Sequence, residues 1–225
     1  ADIPNTLVTS QFANVSGIKL NEQVAKQDHA GMNDTYLQTS KPMVFILVLM
    51  GFYCFVFAKP IVEIFYQSRN FNADAVIEAA MFLKLLAVTI FSIGINAMVT
   101  RVFIAVQAIK QAFFYQVILN VLLIGAIWVC TRYYGAYGYP NAIIIMNLVN
   151  YVAMYFICKK LAPQINYDAL LKYTRLIILI NVIIAAALYV AVNYIDLGTL
   201  LIIIFWLLLY LLILLMLNNK FILIT

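Results

Sequence analysis

Charge is scarce in this chain: of its 225 residues only 10% are Asp, Glu, Lys or Arg, and one histidine, His29, is present. Soluble domains typically carry about 25% charged residues. With a single histidine in a polar stretch, neither a Ser–His–Asp nor a Cys–His nucleophilic set can be assembled. The eight glycines form no Walker or dinucleotide-binding loop, which argues against ATP hydrolysis on this chain. The cysteines Cys54, Cys130 and Cys158 lie singly in apolar blocks without metal-ligand spacing, and read as small hydrophobes. No enzyme activity, metal or organic cofactor is therefore expected; any transport would draw on a gradient, Na+ or H+ being the candidate coupling ions, or on a partner. Residues 1–42 hold no apolar run that would make a signal peptide. Because the first residue is Ala1, the chain is expected to be part of a longer protein.

Hydrophobic residues make up 66% of the chain, and they fall into blocks of about 20 residues, the length of a helix crossing about 30 Å of hydrocarbon. Barrel strands would alternate apolar and polar residues, and these blocks do not, so the fold is expected to be all-α, a polytopic transmembrane bundle. Six spans are expected, near 43–66, 77–100, 113–131, 140–158, 174–194 and 198–217. The last is nearly pure Leu and Ile and is expected to face lipid. Pro60 is expected to kink the end of the first. Residues 1–18 are semi-polar: either the end of a cavity-lining helix or an exposed leader. Residues 19–42 read as a polar loop with a short amphipathic helix through Met32, Tyr36 and Leu37. The chain thus divides into 1–42 and a six-span bundle over 43–225.

The net charge of +5 might be taken for a nucleic-acid signal, but its distribution excludes that partner. Ten Lys and Arg (Lys19, Lys26, Lys41, Arg101, Lys110, Lys159, Lys160, Lys172, Arg175, Lys220) fall in one set of loops, and three (Lys59, Arg69, Arg132) in the other. The positive-inside bias puts the first set, and the C-terminus, in the cytoplasm. Tyr133, Tyr134, Tyr137 and Tyr139 form an aromatic belt at the opposite interface.

Polar residues inside the spans are the candidate sites. On a continuous helix Glu78, Thr89, Ser92, Asn96 and Thr100 lie within about 40° of one line. Such a stripe either lines a hydrated substrate cavity or makes interhelical hydrogen bonds worth about 0.6–2 kcal/mol each. Lys84 falls about 120° away; it either snorkels outward or meets an acidic or anionic partner. Gln116 and Asn120 are i, i+4 neighbours, and Asn147, Asn150 and Tyr151 share a face. The carboxamides of Asn120, Asn147 and Asn150 either bind a monovalent cation or bond one another. Small-residue spacing at Asn181/Ala185 and Ala187/Ala191 reads as close helix packing.

Several motifs share an order with one family. Arg101-Val-Phe103-Ile-Ala105, then Lys110, then Asn120, resembles the Arg-x-Phe-Tyr-Ala … Lys … Asn pattern of the MurJ/MviN lipid II flippases, members of the multidrug/oligosaccharidyl-lipid/polysaccharide exporter superfamily. Ile3-Pro4 with Tyr36-Leu37, Ile64-Phe65-Tyr66 with Phe71, and Gly135-x-x-Gly138 with Asn150 and Lys159-Lys160 agree in order with the same family, over roughly residues 3–160. The sequence departs from the family's pattern at Ala108 and Ala112, which replace Asp and Pro; at Asn70, which replaces Gly; and at Ile124, where some members carry an acidic cation ligand. The resemblance implies the C-terminal lobe of a fourteen-helix transporter in the bacterial inner membrane. Its N-terminal lobe would be the partner, and its substrate a lipid-linked saccharide, moved by alternating access between the lobes. Glu78, Lys84, Thr89, Ser92, Asn96 and Arg101 are then the candidate substrate-cavity residues. The alternatives are an O-antigen or capsular polysaccharide flippase, a drug exporter of the same superfamily, or a membrane assembly subunit without transport; an intramembrane enzyme is the least favoured.

Overall fold

A computed structural model describes residues 9–66 and 73–194. These residues are helical almost throughout, as the lipid environment requires of backbone N–H and C=O groups. The helices are α1 (Ser10–Ala25), α2 (His29–Val56), α3 (Ala58–Tyr66), α4 (Ala73–Ala87), α5 (Ile90–Ala105), α6 (Ile109–Tyr134), α7 (Gly138–Leu161) and α8 (Tyr167–Tyr194), with a 3-10 turn at Gly135–Tyr137 between α6 and α7. Among the described residues four stretches are long and apolar enough to cross a membrane: His29–Val56, Ala73–Ala105, Ile109–Leu161 and Tyr167–Ala186. The third comprises both α6 and α7. By Cα proximity the chain divides into two units, Ala1–Asn181 and Val182–Thr225; the packing below is that of the first. The expected span at 198–217, the Ile3-Pro4 and Phe71 motifs and the departure at Asn70 lie outside the described residues.

The polar stretch 19–42, expected as a loop with a short amphipathic helix, is helical on both sides of a turn at 26–28. Helix α1 runs to Ala25, and α2 starts at His29 and continues through Pro42 to Val56. Asp28 starts it: its carboxylate accepts from the Gly31 N–H at 2.9 Å, an N-cap that satisfies one orphan donor. A stripe through Met32, Tyr36, Ser40, Met43, Leu47 and Gly51 is buried and holds α2 in the bundle. Pro42 lacks an N–H and so costs the helix one internal bond, yet the surrounding packing carries it through. Pro60 has the sharper effect. It cannot bond to the carbonyl four residues back, at Val56, and α2 stops there; the chain restarts as α3 at Ala58. Helices α3 and α4 close on each other through Ala58, Val62, Val76 and Ala80.

The expected span 77–100 is likewise two helices, broken by a turn at Val88–Thr89 between α4 and α5. Gly51 of α2 lies against this point: a Cβ there would sit 2.9 Å from the Ala87 carbonyl oxygen. Further along, Gly94 of α5 accommodates Leu47 and Met43 of α2. Helices α6 and α7 form a hairpin. Gly135 turns it with φ +58 and ψ −135, a backbone state that essentially only glycine adopts without strain. Gly138 lets α7 approach the backbone of α6: a Cβ there would fall 2.3 Å from Thr131 Cα. Cys130 is the sole buried residue of α6, and Phe113, Phe114, Val121, Ile124 and Trp128 stand exposed. A helix so apolar and so little covered by protein is one surrounded by lipid.

Candidate functional site

Polar side chains on α5, α6 and α7 meet in a ladder across the bundle. Ser92 Oγ lies 2.6 Å from the Thr89 carbonyl and 3.0 Å from Asn147 Oδ1. One turn along, the Asn150 amide donates to Asn96 Oδ1 at 2.8 Å, and the Tyr115 hydroxyl donates to Asn150 Oδ1 at 2.6 Å. The Asn147 amide turns back to the Ile143 carbonyl at 2.9 Å. Ser92 and Asn150 are buried. Each interhelical bond of this kind contributes roughly 0.6–2 kcal/mol in a membrane, so the ladder fixes the register of three helices.

Beside the ladder is a cavity of about 600 Å³. It lies between α5, α7 and the first turns of α8, with Tyr36 of α2 also in its wall. Asn96 and Tyr151 contribute polar groups from mid-helix, and Tyr155, Asp168, Lys172 and Arg175 contribute them near the α7–α8 connection. The Tyr151 hydroxyl is buried without a hydrogen-bond partner. Asp168 accepts from the Tyr155 hydroxyl at 2.6 Å and lies 3.4 Å from Lys159 Nζ. That connection is held by Asn166, whose backbone N–H donates to Asn33 Oδ1 at 2.8 Å and whose side chain caps α8 by accepting from the Ala169 N–H at 3.0 Å. The ring of Tyr167 meets that of Tyr36 edge-on at 5.5 Å.

Arg101, near the end of α5, reaches across to α1. Its guanidinium donates to Asn14 Oδ1, and its stem lies on Gly17, where a Cβ would come within 3.1 Å of Arg101 Cδ. The fold therefore leaves room at Gly17 for an arginine to lie flat between two helices.

The five-residue stripe is not reproduced as one line, because the break at Val88–Thr89 separates Glu78 on α4 from the residues of α5. Glu78 is exposed. Thr89 and Thr100 bond to the carbonyls of Leu86 and Asn96 on their own helices, at 2.7 and 2.8 Å. Ser92 and Asn96 join the ladder, and Asn96 also lines the cavity. Lys84 is half-buried on α4, with no hydrogen bond or ion pair among the described residues. Asn147 and Asn150 share the ladder, but Asn120 points elsewhere: it is exposed on α6 and accepts from Gln116 at 3.2 Å. The oxygens of all three carboxamides are engaged with protein donors. Asn14, Tyr115 and the cavity residues Tyr155, Asp168, Lys172 and Arg175 were not legible as site residues. For the last two a signal existed: i, i+3 spacing puts both cations on one helix face.

Fold and composition define a polytopic helical membrane protein with polar contacts buried between its spans. The family model for the lipid II flippase MurJ matches residues 2–211, and the chain belongs to that family. A solved structure titled lipid II flippase MurJ, inward closed conformation, superposes with a TM-score of 0.78 at 18% identity, covering 98% of this chain and 45% of that one. The chain therefore spans less than half the length of the structure it matches. A search of curated proteins finds no match.

Proposed function

We propose that this chain forms one lobe of a transporter that flips a lipid-linked saccharide, the peptidoglycan precursor lipid II, across the bacterial inner membrane by alternating access. The family match supports lipid II over an O-antigen or capsular substrate or a drug. The basic loops, and with them the C-terminus, are assigned to the cytoplasm by the charge asymmetry. The observation that carries the reading is Arg101. A guanidinium offers five N–H donors in a fixed fork; Asn14 takes one contact, and among the described residues no other partner is recorded. Held between α1 and α5, it is prepared for a phosphate-bearing group. Glu78, Lys84, Thr89, Ser92 and Asn96 belong to the same proposed pathway, Ser92 and Asn96 as the residues that hold α5 against α7. Na+ or H+ is the proposed coupling ion. An ion at Asn147 and Asn150 would have to displace the present donors, and the geometry favours packing for Asn120.

Lipid II translocation by the full-length protein in proteoliposomes tests this reading. Arg101→Gln removes a charge-assisted contact and is expected to lower the rate about tenfold or more, with folded protein unchanged. Glu78→Ala and Asn96→Ala are expected to lower transport more than stability. If each variant loses folded protein and transport in equal proportion, the residues are structural and the proposal fails.

A further inference from the structure

The cavity at the α7–α8 connection has a chemistry of its own, independent of the transport reading. Lys172 and Arg175 lie in its wall, five and eight residues beyond Tyr167, the first residue of α8. At 1.5 Å per residue this is about 8 and 12 Å along the helix, the depth over which a long cationic side chain lies close to a membrane surface. The only carboxylate in the wall, Asp168, accepts from the Tyr155 hydroxyl, pairs with Lys159 and also feels the charge of Lys172, one turn along α8. Among the described residues Lys172 and Arg175 form no hydrogen bond and no ion pair. Two exposed cations thus stand at the rim of a mostly apolar cavity, with one carboxylate, already held by Tyr155 and Lys159, to serve both. Near the membrane surface each such cation attracts an anionic lipid by about 1 kcal/mol. Deeper, Tyr151 offers a buried hydroxyl with no partner, and Val99 and Val152 supply apolar wall. A ligand that complements this wall is anionic above, polar at one point and apolar below, which is the profile of a phospholipid with its phosphodiester, ester and acyl chain.

We propose that this cavity is a binding site for an anionic phospholipid, its phosphodiester between Lys172 and Arg175, its ester oxygen on the Tyr151 hydroxyl and one acyl chain along α5 and α7. The volume, about 600 Å³, holds part of a lipid and leaves the remainder in the bilayer. The lipid would add to the Tyr155–Asp168 and Lys159–Asp168 contacts that already tie α8 to α7 at this end.

The test uses the full-length protein in nanodiscs of phosphatidylcholine with and without phosphatidylglycerol, with native mass spectrometry counting retained lipid. Phosphatidylglycerol is expected to be retained over phosphatidylcholine. The K172Q/R175Q double variant is expected to lose about 30-fold in affinity, about fivefold per cation, while K160Q, an exposed cation on the same end that does not line the cavity, keeps the parent value. Tyr151→Phe, which removes only an unpartnered hydroxyl, is expected to lose about threefold to tenfold. Equal loss in K160Q would mean general surface attraction and would overturn the site. Inorganic phosphate matching the lipid in competition would mean an anion site without a lipid chain, and added lipid II displacing phosphatidylglycerol completely would make the cavity part of the substrate path; either outcome sinks the proposal.

Discussion

Replacing Gly138 by alanine places one methyl group where the hairpin between α6 and α7 has no space. The added Cβ would lie 2.3 Å from both Thr131 Cα and Thr131 N, and 2.4 Å from the Cys130 carbonyl carbon. All three are backbone atoms, so no rotamer change relieves the contact. Reaching an ordinary separation of 3.4 Å requires the helices to part by about 1 Å at this point. A gap of that size forfeits a quarter to a half of the local dispersion energy, and overpacking of this kind costs about 1–3 kcal/mol. With backbone as the obstacle the upper figure applies, so about 3 kcal/mol is expected. Gly125, on the same α6 helix, is the control: nothing lies within 4 Å of its hypothetical Cβ, and Gly→Ala in an open helix interior is favourable by up to about 1 kcal/mol. Chemical unfolding of the full-length protein in detergent micelles measures both. If Gly138→Ala is as stable as Gly125→Ala, the close approach of α7 to α6 is not what holds the corner, and the reasoning fails.

Two further outcomes are expected. Asn150→Leu removes the donor to Asn96 and the acceptor for Tyr115 together, and is expected to destabilise by about 1–3 kcal/mol; adding Tyr115→Phe should recover part of that loss, and a strictly additive double mutant would show the bonds to be independent of each other. Gln107, between α5 and α6, has φ 57, where a side chain costs roughly 1–2 kcal/mol, so Gln107→Gly should raise the unfolding midpoint; an unchanged or lower midpoint would refute it.

Much of the bundle was legible because hydrocarbon leaves a helix few alternatives. The spans near 113–131 and 140–158 fall inside α6 and α7, and Pro60 marks an interruption, as its missing N–H implies. What the pattern could not convey is where a helix continues through polar residues or stops within apolar ones. Residues 19–42 read as a loop with a short amphipathic helix through Met32, Tyr36 and Leu37; that helical face is present, but α2 runs on from it through Pro42 into the bundle, where tertiary packing overrides the local polarity. Conversely, Val88 and Thr89 interrupt an apolar run with no proline or glycine to announce it. That single turn undoes the angular arithmetic linking Glu78 to Asn96. The pairing of Ser92 with Asn147 and of Asn96 with Asn150 was half legible: the polar residues stood out, while their partners depend on which helices adjoin. Gly135-x-x-Gly138 was visible only as a family pattern. The structure supplies its cause, one glycine for its φ and the other for its lack of a side chain.

The two ends of the α7 helix are secured by contacts of different kinds. At Gly138 backbone meets backbone, and nothing smaller than the whole helix can move. At the other end the α7–α8 connection is held by buried side chains, Cys158, Ala162 and Ile165, together with the exposed Asn166–Asn33 hydrogen bond. The glycine corner is therefore fixed by backbone contact, and the other end of α7 by the burial of side chains. Side chains can repack around a change in volume and backbone cannot, so substitutions at the α7–α8 connection will be tolerated more readily than any at the glycine corner.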